Sequence, residues 1–322
     1  MRSSLAACPL PSIARVRAGD VVSLRVRTPA GPRDVVGTLV AAGRTHLSVR
    51  RRDGTVEQVA VDAVEAGRVV PPGPAERVPV GELMRVMALG WRAPEVAELD
   101  GWLLRAGGGF TGRANSALVP PGPVPDLAGR LAAVEGWYDA RGLPPKLQVV
   151  VGAEPPGLVR WLDEARWAPS PPTHVMTAEA AHVLRGASTT PVDVQLDAEP
   201  DAAWLAGYRQ DEQPLPPSAV EVLTNHPQVV FASVREGDGC LAIARVAVDG
   251  RWAGVFGVEV DPAHRRRGLA QAVTAAAVKW AVERGARRTY LQVVTTNAAA
   301  VRLWQRLGYR HHHDYVYFTR RS

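Results

Sequence analysis

Cysteine occurs only twice in 322 residues, as Cys8 and Cys240. Two thiols so far apart build neither a disulfide framework nor a structural zinc site, and they suit a reducing, cytoplasmic setting. Long apolar runs are missing as well, since nothing approaches the ~20 residues of a membrane span. The start, Met1-Arg2-Ser3-Ser4-Leu5-Ala6-Ala7-Cys8-Pro9, carries too short an apolar run for a secretory signal before proline interrupts it. The expectation is a soluble, unexported chain with no membrane partner. Lysine is as scarce as cysteine: Lys146 and Lys279 are the only two, so 36 of the 38 basic residues are arginine. Beside abundant alanine, glycine and proline, that skew reads as the mark of a GC-rich genome and not of guanidinium chemistry.

What is present is ordinary globular material. Hydrophobic residues make up 46% and charged residues 22%, which excludes a wholly disordered or fibrous chain. The length is about twice a ~150-residue domain, so two or three domains are expected. The net charge of +6 is unevenly placed: residues 1–70 hold eleven arginines against six acidic residues, a net of +5. A polyanion or acidic protein partner, if there is one, belongs to that segment.

The first segment alternates at period two through Val21-Val22-Ser23-Leu24-Arg25-Val26-Arg27, Val35-Val36-Gly37-Thr38-Leu39-Val40, His46-Leu47-Ser48-Val49-Arg50 and Val56-Glu57-Gln58-Val59-Ala60-Val61, the signature of short strands. Asp53-Gly54 is a hairpin turn signal. The economical reading of residues 1–72 is a five-stranded barrel of SH3 type, closed by the stiff linker Val69-Val70-Pro71-Pro72-Gly73-Pro74.

From about residue 78 onward strands alternate with helix-period segments, the pattern of a mixed α/β fold. One pass predicts strands near 102–106 and 114–119, a helix at 126–141, a strand at 147–151, a helix at 157–166 and a strand at 174–178. A second pass predicts strands at 229–235, 240–248 and 251–260, a helix at 268–284, a strand at 289–295, a helix at 298–307 and a strand at 314–319. The order repeats, which suggests two halves, 73–186 and 187–322, joined by Ala180 to Pro191.

The sharpest chemistry lies in Val258-Glu259-Val260-Asp261-Pro262-Ala263-His264-Arg265-Arg266-Arg267-Gly268-Leu269-Ala270, which joins a strand to a helix. Gly268 permits close approach just where the helix start offers unpaired N–H groups and a positive dipole end. Arg265, Arg266 and Arg267 add charge, so the string is an anion cradle. Downstream, Asn297 begins a helix with apolar positions at 300, 303, 304 and 307, an amphipathic face with a cap at its head.

Arg265-x-x-Gly268-x-Ala270 after Val-x-Val-x-Pro resembles the acetyl-CoA pyrophosphate motif of the GCN5-related N-acetyltransferases (GNAT). Asn297-x-x-Ala300-x-x-Leu303-Trp304-x-x-x-Gly308-Tyr309 resembles that family's second signature. The resemblance covers about 192–320. It implies a splayed sheet that takes the pantetheine arm of acetyl-CoA, with Val258, Val260, Leu269, Ala270, Asn297, Ala300, Leu303 and Trp304 joining the arginines and Gly268 around the cofactor. It also implies transfer of an acetyl group by direct attack of a primary amine, on a small molecule or a protein. Where the family often has a tyrosine as general acid this chain has Trp304, so the proton falls to another group, with Tyr309 the nearest candidate in sequence beside Tyr290, Tyr315 and Tyr317, or to water or the amine product. Glu259 is the candidate base, with Asp261 and His264 as alternatives. An alternative function is a binding module in which the basic barrel docks on nucleic acid or protein and the acetyltransferase fold senses acyl-CoA.

Three further features complete the reading. Gly107-Gly108-Gly109-Phe110-Thr111-Gly112 matches a dinucleotide fingerprint literally, but a proline-ended strand follows it, so a glycine-rich hairpin is expected. Where the phosphate loop would fall in the first half stands Val119-Pro120-Pro121-Gly122-Pro123-Val124-Pro125-Asp126. Its prolines lack N–H groups and its aspartate occupies the helix start, so this half cannot cradle a pyrophosphate. Gly101-Trp102-Leu103-Leu104-Arg105 and the following Gly112 to Ser116, after an SH3-like leader, resemble a group of actinobacterial acetyltransferases with this three-part layout; Arg113, Asn115 and Ser116 are candidate acceptor contacts, or else buried polar residues between the halves. Finally, His311-His312-His313 lie in a strand and point to alternating faces, so at most two could share a metal; a polar strand edge and no metal is the expectation.

Overall fold

A computed structural model describes residues 21–43, 45–51, 55–69, 78–186, 192–208 and 215–320. The turn expected at Asp53-Gly54, the prolines of the linker, Cys8 and the end of the joining segment lie outside those residues. The chain divides into two compact units, 1–77 and 78–322.

In the first unit, strands β1 (Val21–Val26), β2 (Arg33–Ala42), β3 (His46–Arg50), β4 (Val56–Ala60) and β5 (Val64–Val69) form one antiparallel sheet in the order β4-β3-β2-β1-β5. Period-two alternation puts Val22, Leu24 and Val26 of β1 inside, against Val35, Leu39, Leu47, Val49 and Val59. The fifth strand, Val-Glu-Ala-Gly-Arg-Val, lacks that alternation, so the sequence pattern did not locate it. Four arginines of this unit face acids within it: Arg25 meets Asp34, Arg27 meets Glu65, and Arg33 and Arg51 both meet Glu57.

The second unit carries α1 (Val80–Gly90), β6 (Glu95–Leu99), β7 (Trp102–Ala106), β8 (Ala117–Leu118), α2 (Leu127–Asp139), β9 (Lys146–Val150), α3 (Leu158–Glu164), β10 (Trp167–Pro169), β11 (Thr173–Glu179) and α4 (Ala180–Gly186). It continues with β12 (Gln195–Asp197), α5 (Ala202–Gly207), α6 (Ser218–Thr224), β13 (Val229–Glu236), β14 (Gly239–Asp249), β15 (Trp252–Val260), α7 (Leu269–Glu283), β16 (Arg288–Val294), α8 (Ala298–Arg306) and β17 (Arg310–Arg320). Its strands form a single mixed sheet, β12-β13-β14-β15-β16-β11-β17-β9-β8-β7-β6, with β10 added on β17. Among the described residues only β15 with β16 and β8 with β9 pair in parallel. The succession β7-β8-α2-β9-α3-β11 recurs as β14-β15-α7-β16-α8-β17, but the closing strands are exchanged: β11 lies between β16 and β17, and β17 between β11 and β9.

Two expectations change. The strand expected at 114–119 shrinks to β8, because Gly112–Ala114 form a 3-10 turn and the side chains of Asn115 and Ser116 bond to loop carbonyls in place of a ladder. Short elements without a clear period (β6, β10, β12, α4, α5 and α6) and the helix α1 were not foreseen. Among the described residues no helix is long and apolar enough to cross a membrane.

Candidate cofactor and acyl-transfer site

The site begins where two parallel strands part. β15 and β16 are paired from Trp252 and Arg288 up to Val255 and Leu291, and no further. Beyond Val255 a bulge shifts the register of β15 against β14, between the pairs Phe256 with Arg245 and Glu259 with Ile243; Gly257 supplies it at φ +54°, a conformation costly to any residue with a Cβ. After the bulge the Asp261 N–H donates to Leu241 O at 2.9 Å, so that residue faces β14. Alternation turns the peptide groups of Val260 and Val258 the other way, into the gap. The Val260 carbonyl does face away from β14, accepting from Arg265 Nε at 3.5 Å.

The loop after β15 is shaped by its own side chains. Asp261 Oδ1 accepts from the Ala263 N–H at 2.8 Å and pairs with His264 Nδ1 at 3.1 Å, holding the 3-10 turn Pro262–His264. The hydrogen bond from His264 and the capping N–H hold the Asp261 carboxyl below the usual range. These two residues hold the turn together. Gly268, at φ +80°, ends the loop and begins α7 without any side-chain cap. The first intrahelical bond runs from Ala272 N to Gly268 O, so the N–H groups of residues 268–271 are unused by the helix.

Across the gap, Asn297 heads α8, its Oδ1 accepting from the Ala300 N–H at 3.0 Å. Together the parted strand, the arginine loop and α8 enclose a cavity of about 530 Å³ lined by Val258, Glu259, Val260, Arg265, Arg266, Gly268, Leu269, Ala270, Asn297, Ala300, Leu303 and Trp304, with Gln271, Ala299 and Arg306. All the expected cofactor contacts except Arg267 meet there, and so does Glu259. Gln271, Ala299 and Arg306 were missed, although their spacing from Gly268 and Leu303 (i+3, i−4 and i+3) puts them on the same helix faces.

Tyr309 does not reach this cavity. It is buried in the core, its ring edge-on to Trp304 at 5.8 Å; its hydroxyl has no hydrogen-bond partner, and burial pushes its pKa far up. In this conformation its hydroxyl does not meet the cavity. Tyr290 and Tyr315 are likewise buried, the latter donating to Gln292 Oε1 at 2.7 Å, and Tyr317 is not among the lining residues.

Of the candidate acceptor contacts of the first half, Asn115 and Ser116 are buried and Arg113 is partly exposed. Asn115 Oδ1 accepts from the N–H groups of Gly107 and Gly109 at 2.8 and 2.9 Å, and its Nδ2 donates to the carbonyls of Phe110 and Thr111 at 2.8 and 3.0 Å. The glycine string is thus a loop tied down by one buried amide. Ser116 donates to Gly112 O and accepts from Arg105 Nη2. Both serve the interior. Arg113 stacks over the Trp91 ring, 4.5 Å from its centroid, and Arg245 lies over the same ring at 4.7 Å. At the head of α2 the side chain of Asp126 accepts from the Gly129 N–H at 3.1 Å, so the positive helix end is filled there, in contrast to Gly268.

Residues 80–318 match a family model described as "Probable histone acetyltransferase Rv0428c C-terminal". The chain is 31% identical over 316 residues to the "Probable histone acetyltransferase Rv0428c" of Mycobacterium tuberculosis, covering 94% of this chain and 96% of that protein. It is 26% identical over 245 residues to the "Uncharacterized N-acetyltransferase YobR" of Bacillus subtilis, covering 71% and 94% respectively. A solved GCN5-related N-acetyltransferase from Kribbella flavida shares the fold at a TM-score of 0.56 and 20% identity, over 76% of this chain and 96% of that one. With the parted strands and the glycine-headed helix in place, the chain belongs to the family of that Rv0428c C-terminal model, within the GCN5-related N-acetyltransferases, and is an acetyltransferase.

Proposed function

We propose that the chain takes acetyl-CoA into the cavity between β15 and α8 and transfers its acetyl group to a primary amine by direct attack. The observation that carries this reading is the uncapped start of α7 at Gly268, opening into the same cavity as the unpaired edge of β15. Acetyl-CoA supplies the thioester. The N–H groups of residues 268–271 and the side chains of Arg265 and Arg266 bind the pyrophosphate; a helix end alone is worth about 0.3–1 kcal/mol toward an anion, so the arginines are needed as well. The peptide groups of Val258 and Val260 pair with the pantetheine arm and direct a donor at the thioester oxygen. Asn297 and Leu303 wall the arm, and Trp304 gives it a flat apolar floor. Glu259 takes the proton from the acceptor ammonium; the free amine nitrogen bonds to the acyl carbon as the carbon–sulfur bond breaks, and coenzyme A leaves as a thiolate that takes up the second proton given up by the nitrogen, directly or through water. In this reading the half 73–186 keeps the shape of an acetyltransferase without cofactor binding, since Asp126 fills its helix start, and 187–322 is the working half.

The N-terminal barrel, 1–72, would recruit a polyanion or acidic partner through its +5. The ion pairs of Arg25, Arg27, Arg33 and Arg51 weigh against a wide basic face there. Titration calorimetry with acetyl-CoA, followed by thiol release with small amines, amino-acid derivatives and lysine peptides, tests the enzyme. Binding of acetyl-CoA without turnover on any amine would favour a sensor, and salt-dependent binding of RNA or DNA would favour the docking role.

A further inference from the structure

In the register of β11 against β17, His174 stands directly opposite Asp314. His311, three residues before Asp314, would face the other side of a regular strand. It does not, because the register shifts at this point: Val175 is opposite His313 and Met176 is opposite His311, leaving His312 as the extra residue of a bulge. His311 thus joins Asp314 and His174 on one face. His174 Nδ1 lies 2.6 Å and His311 Nε2 2.7 Å from the same oxygen, Asp314 Oδ1. The two imidazoles meet edge to face at 5.1 Å. The other two members of the run are engaged elsewhere, His312 with the Val78 carbonyl and His313 with Met84 Sδ.

We propose that His174, His311 and Asp314 form a binding site for a divalent transition-metal ion of the zinc, cobalt or nickel class. One ligand atom from each falls within 4.8 Å of the others. Metal–ligand bonds of about 2.0–2.2 Å on a tetrahedron set their ends roughly 3.3 Å apart, so the observed 2.6 and 2.7 Å separations from Asp314 need to open by less than about 1 Å, and the two imidazole nitrogens, within 4.8 Å of each other, need to close by up to about 1.5 Å. Two imidazoles and one carboxylate suit these metals and not magnesium or calcium, which take oxygen ligands. Each neutral imidazole carries its proton on the nitrogen away from the metal, Nε2 of His174 and Nδ1 of His311. The side chains of His174 and Asp314 are about one quarter exposed and that of His311 about half, which leaves entry open and room for water as the remaining ligands. The ion would tie together the two exchanged strands, β11 of the first half and β17 of the second.

The test uses untagged full-length protein, stripped with a chelator and titrated calorimetrically with Zn²⁺ and with Co²⁺, whose visible absorption reports its ligands. The expected result is one equivalent bound and a higher melting temperature with metal. His174→Ala, His311→Ala and Asp314→Asn are each expected to weaken binding at least about tenfold and to abolish the thermal shift, while His46→Ala, in the first unit, changes neither. Circular dichroism identifies any variant that is unfolded; His311→Ala, at an exposed side chain, keeps the test decisive. Absence of saturable binding, or binding that survives any one of the three substitutions in a folded variant, overturns the site.

Discussion

Val255 and Leu291 are the last residues that β15 and β16 share as partners. β15 continues for five residues beyond this pair, and the last three of them, Val258, Glu259 and Val260, line the cavity that Gly268 closes at the other end. The parting of the strands and the helix start act as one device. Gly268→Glu is therefore expected to abolish acetyl-CoA binding, since a carboxylate would sit where the pyrophosphate does. Gly268→Ala is milder: at φ +80° a Cβ costs about 1 kcal/mol of stability, with weakened binding. Calorimetry and urea denaturation separate the two effects, and unchanged binding in Gly268→Glu would remove the cofactor assignment altogether.

Asn297 has two roles that can be pulled apart. Its Oδ1 caps α8 through the Ala300 N–H, and the residue lines the cavity. Asn297→Asp keeps a capping oxygen and loses the amide donor. Stability should then stay near that of the parent while acetyl-CoA affinity falls several-fold. Asn297→Ala should lose about 1 kcal/mol in denaturant as well. Equal affinity in parent and Asp variant would reduce Asn297 to a cap.

How far the sequence went differs from place to place for physical reasons. The apolar face of α7 was legible because Leu269, Val273 and Ala277 recur at helix spacing, and they are buried; so was the filled helix start at Asp126, because proline and aspartate act locally. Asn115 and Ser116 were ambiguous because a polar residue in a strand reads the same whether it meets a substrate or a loop carbonyl. The cluster around Asp314 was hidden entirely. A one-residue bulge at His312 reverses the facing of His311, and the third member, His174, is 137 residues away from it in sequence. The exchange of β11 and β17 was hidden for a similar reason, since pairing partners so distant leave no local period.

Asn115 is expected to matter for stability and not for turnover. Asn115→Ala leaves the N–H groups of Gly107 and Gly109 without their acceptor and removes the amide donors to Phe110 O and Thr111 O; the buried Gly107 donor alone costs about 1–3 kcal/mol, and the more open Gly109 less. A loss of roughly 3 kcal/mol in urea denaturation, with KM for the amine unchanged in the fraction that stays folded, is the expected outcome. A selective rise in KM at undiminished stability would return Asn115 to the acceptor site.

Asp249 gives the molecule a pH dependence. It accepts from Arg92 Nη2 at 3.2 Å and pairs with His226 Nε2 at 3.0 Å, fastening the turn after β14 to the ends of α1 and α6. Burial alone would raise its pKa, but the hydrogen bonds and charges of these two partners outweigh burial and leave it lowered. A carboxyl with a lower pKa folded than unfolded contributes stability above its unfolded value, near 4, and that contribution is lost as pH falls through the folded value. Asp249→Asn should therefore destabilise the protein at neutral pH by about 1–3 kcal/mol. The gap between parent and variant should narrow below about pH 4, as followed by urea midpoints across that range.

Tyr309 offers the cleanest separation of packing from chemistry. A tyrosine that protonates the leaving thiolate must touch the cavity, whereas Tyr309 lies behind Trp304, its hydroxyl buried and unpartnered and its pKa driven upward by burial. General acids contribute about 10²- to 10⁴-fold to rate, so their removal is hard to miss. Tyr309→Phe deletes only the hydroxyl and keeps the ring against Trp304. Since a buried polar atom without a partner costs free energy, the variant should be as stable as the parent or up to ~1 kcal/mol more so, with kcat and its alkaline limb unaltered. A fall in kcat approaching a hundredfold, with a shifted pH profile, would mean that the cavity wall opens during turnover and brings Tyr309 to the thioester. Unaltered kinetics would leave the proton to a water or to the amine product, consistent with tryptophan at position 304.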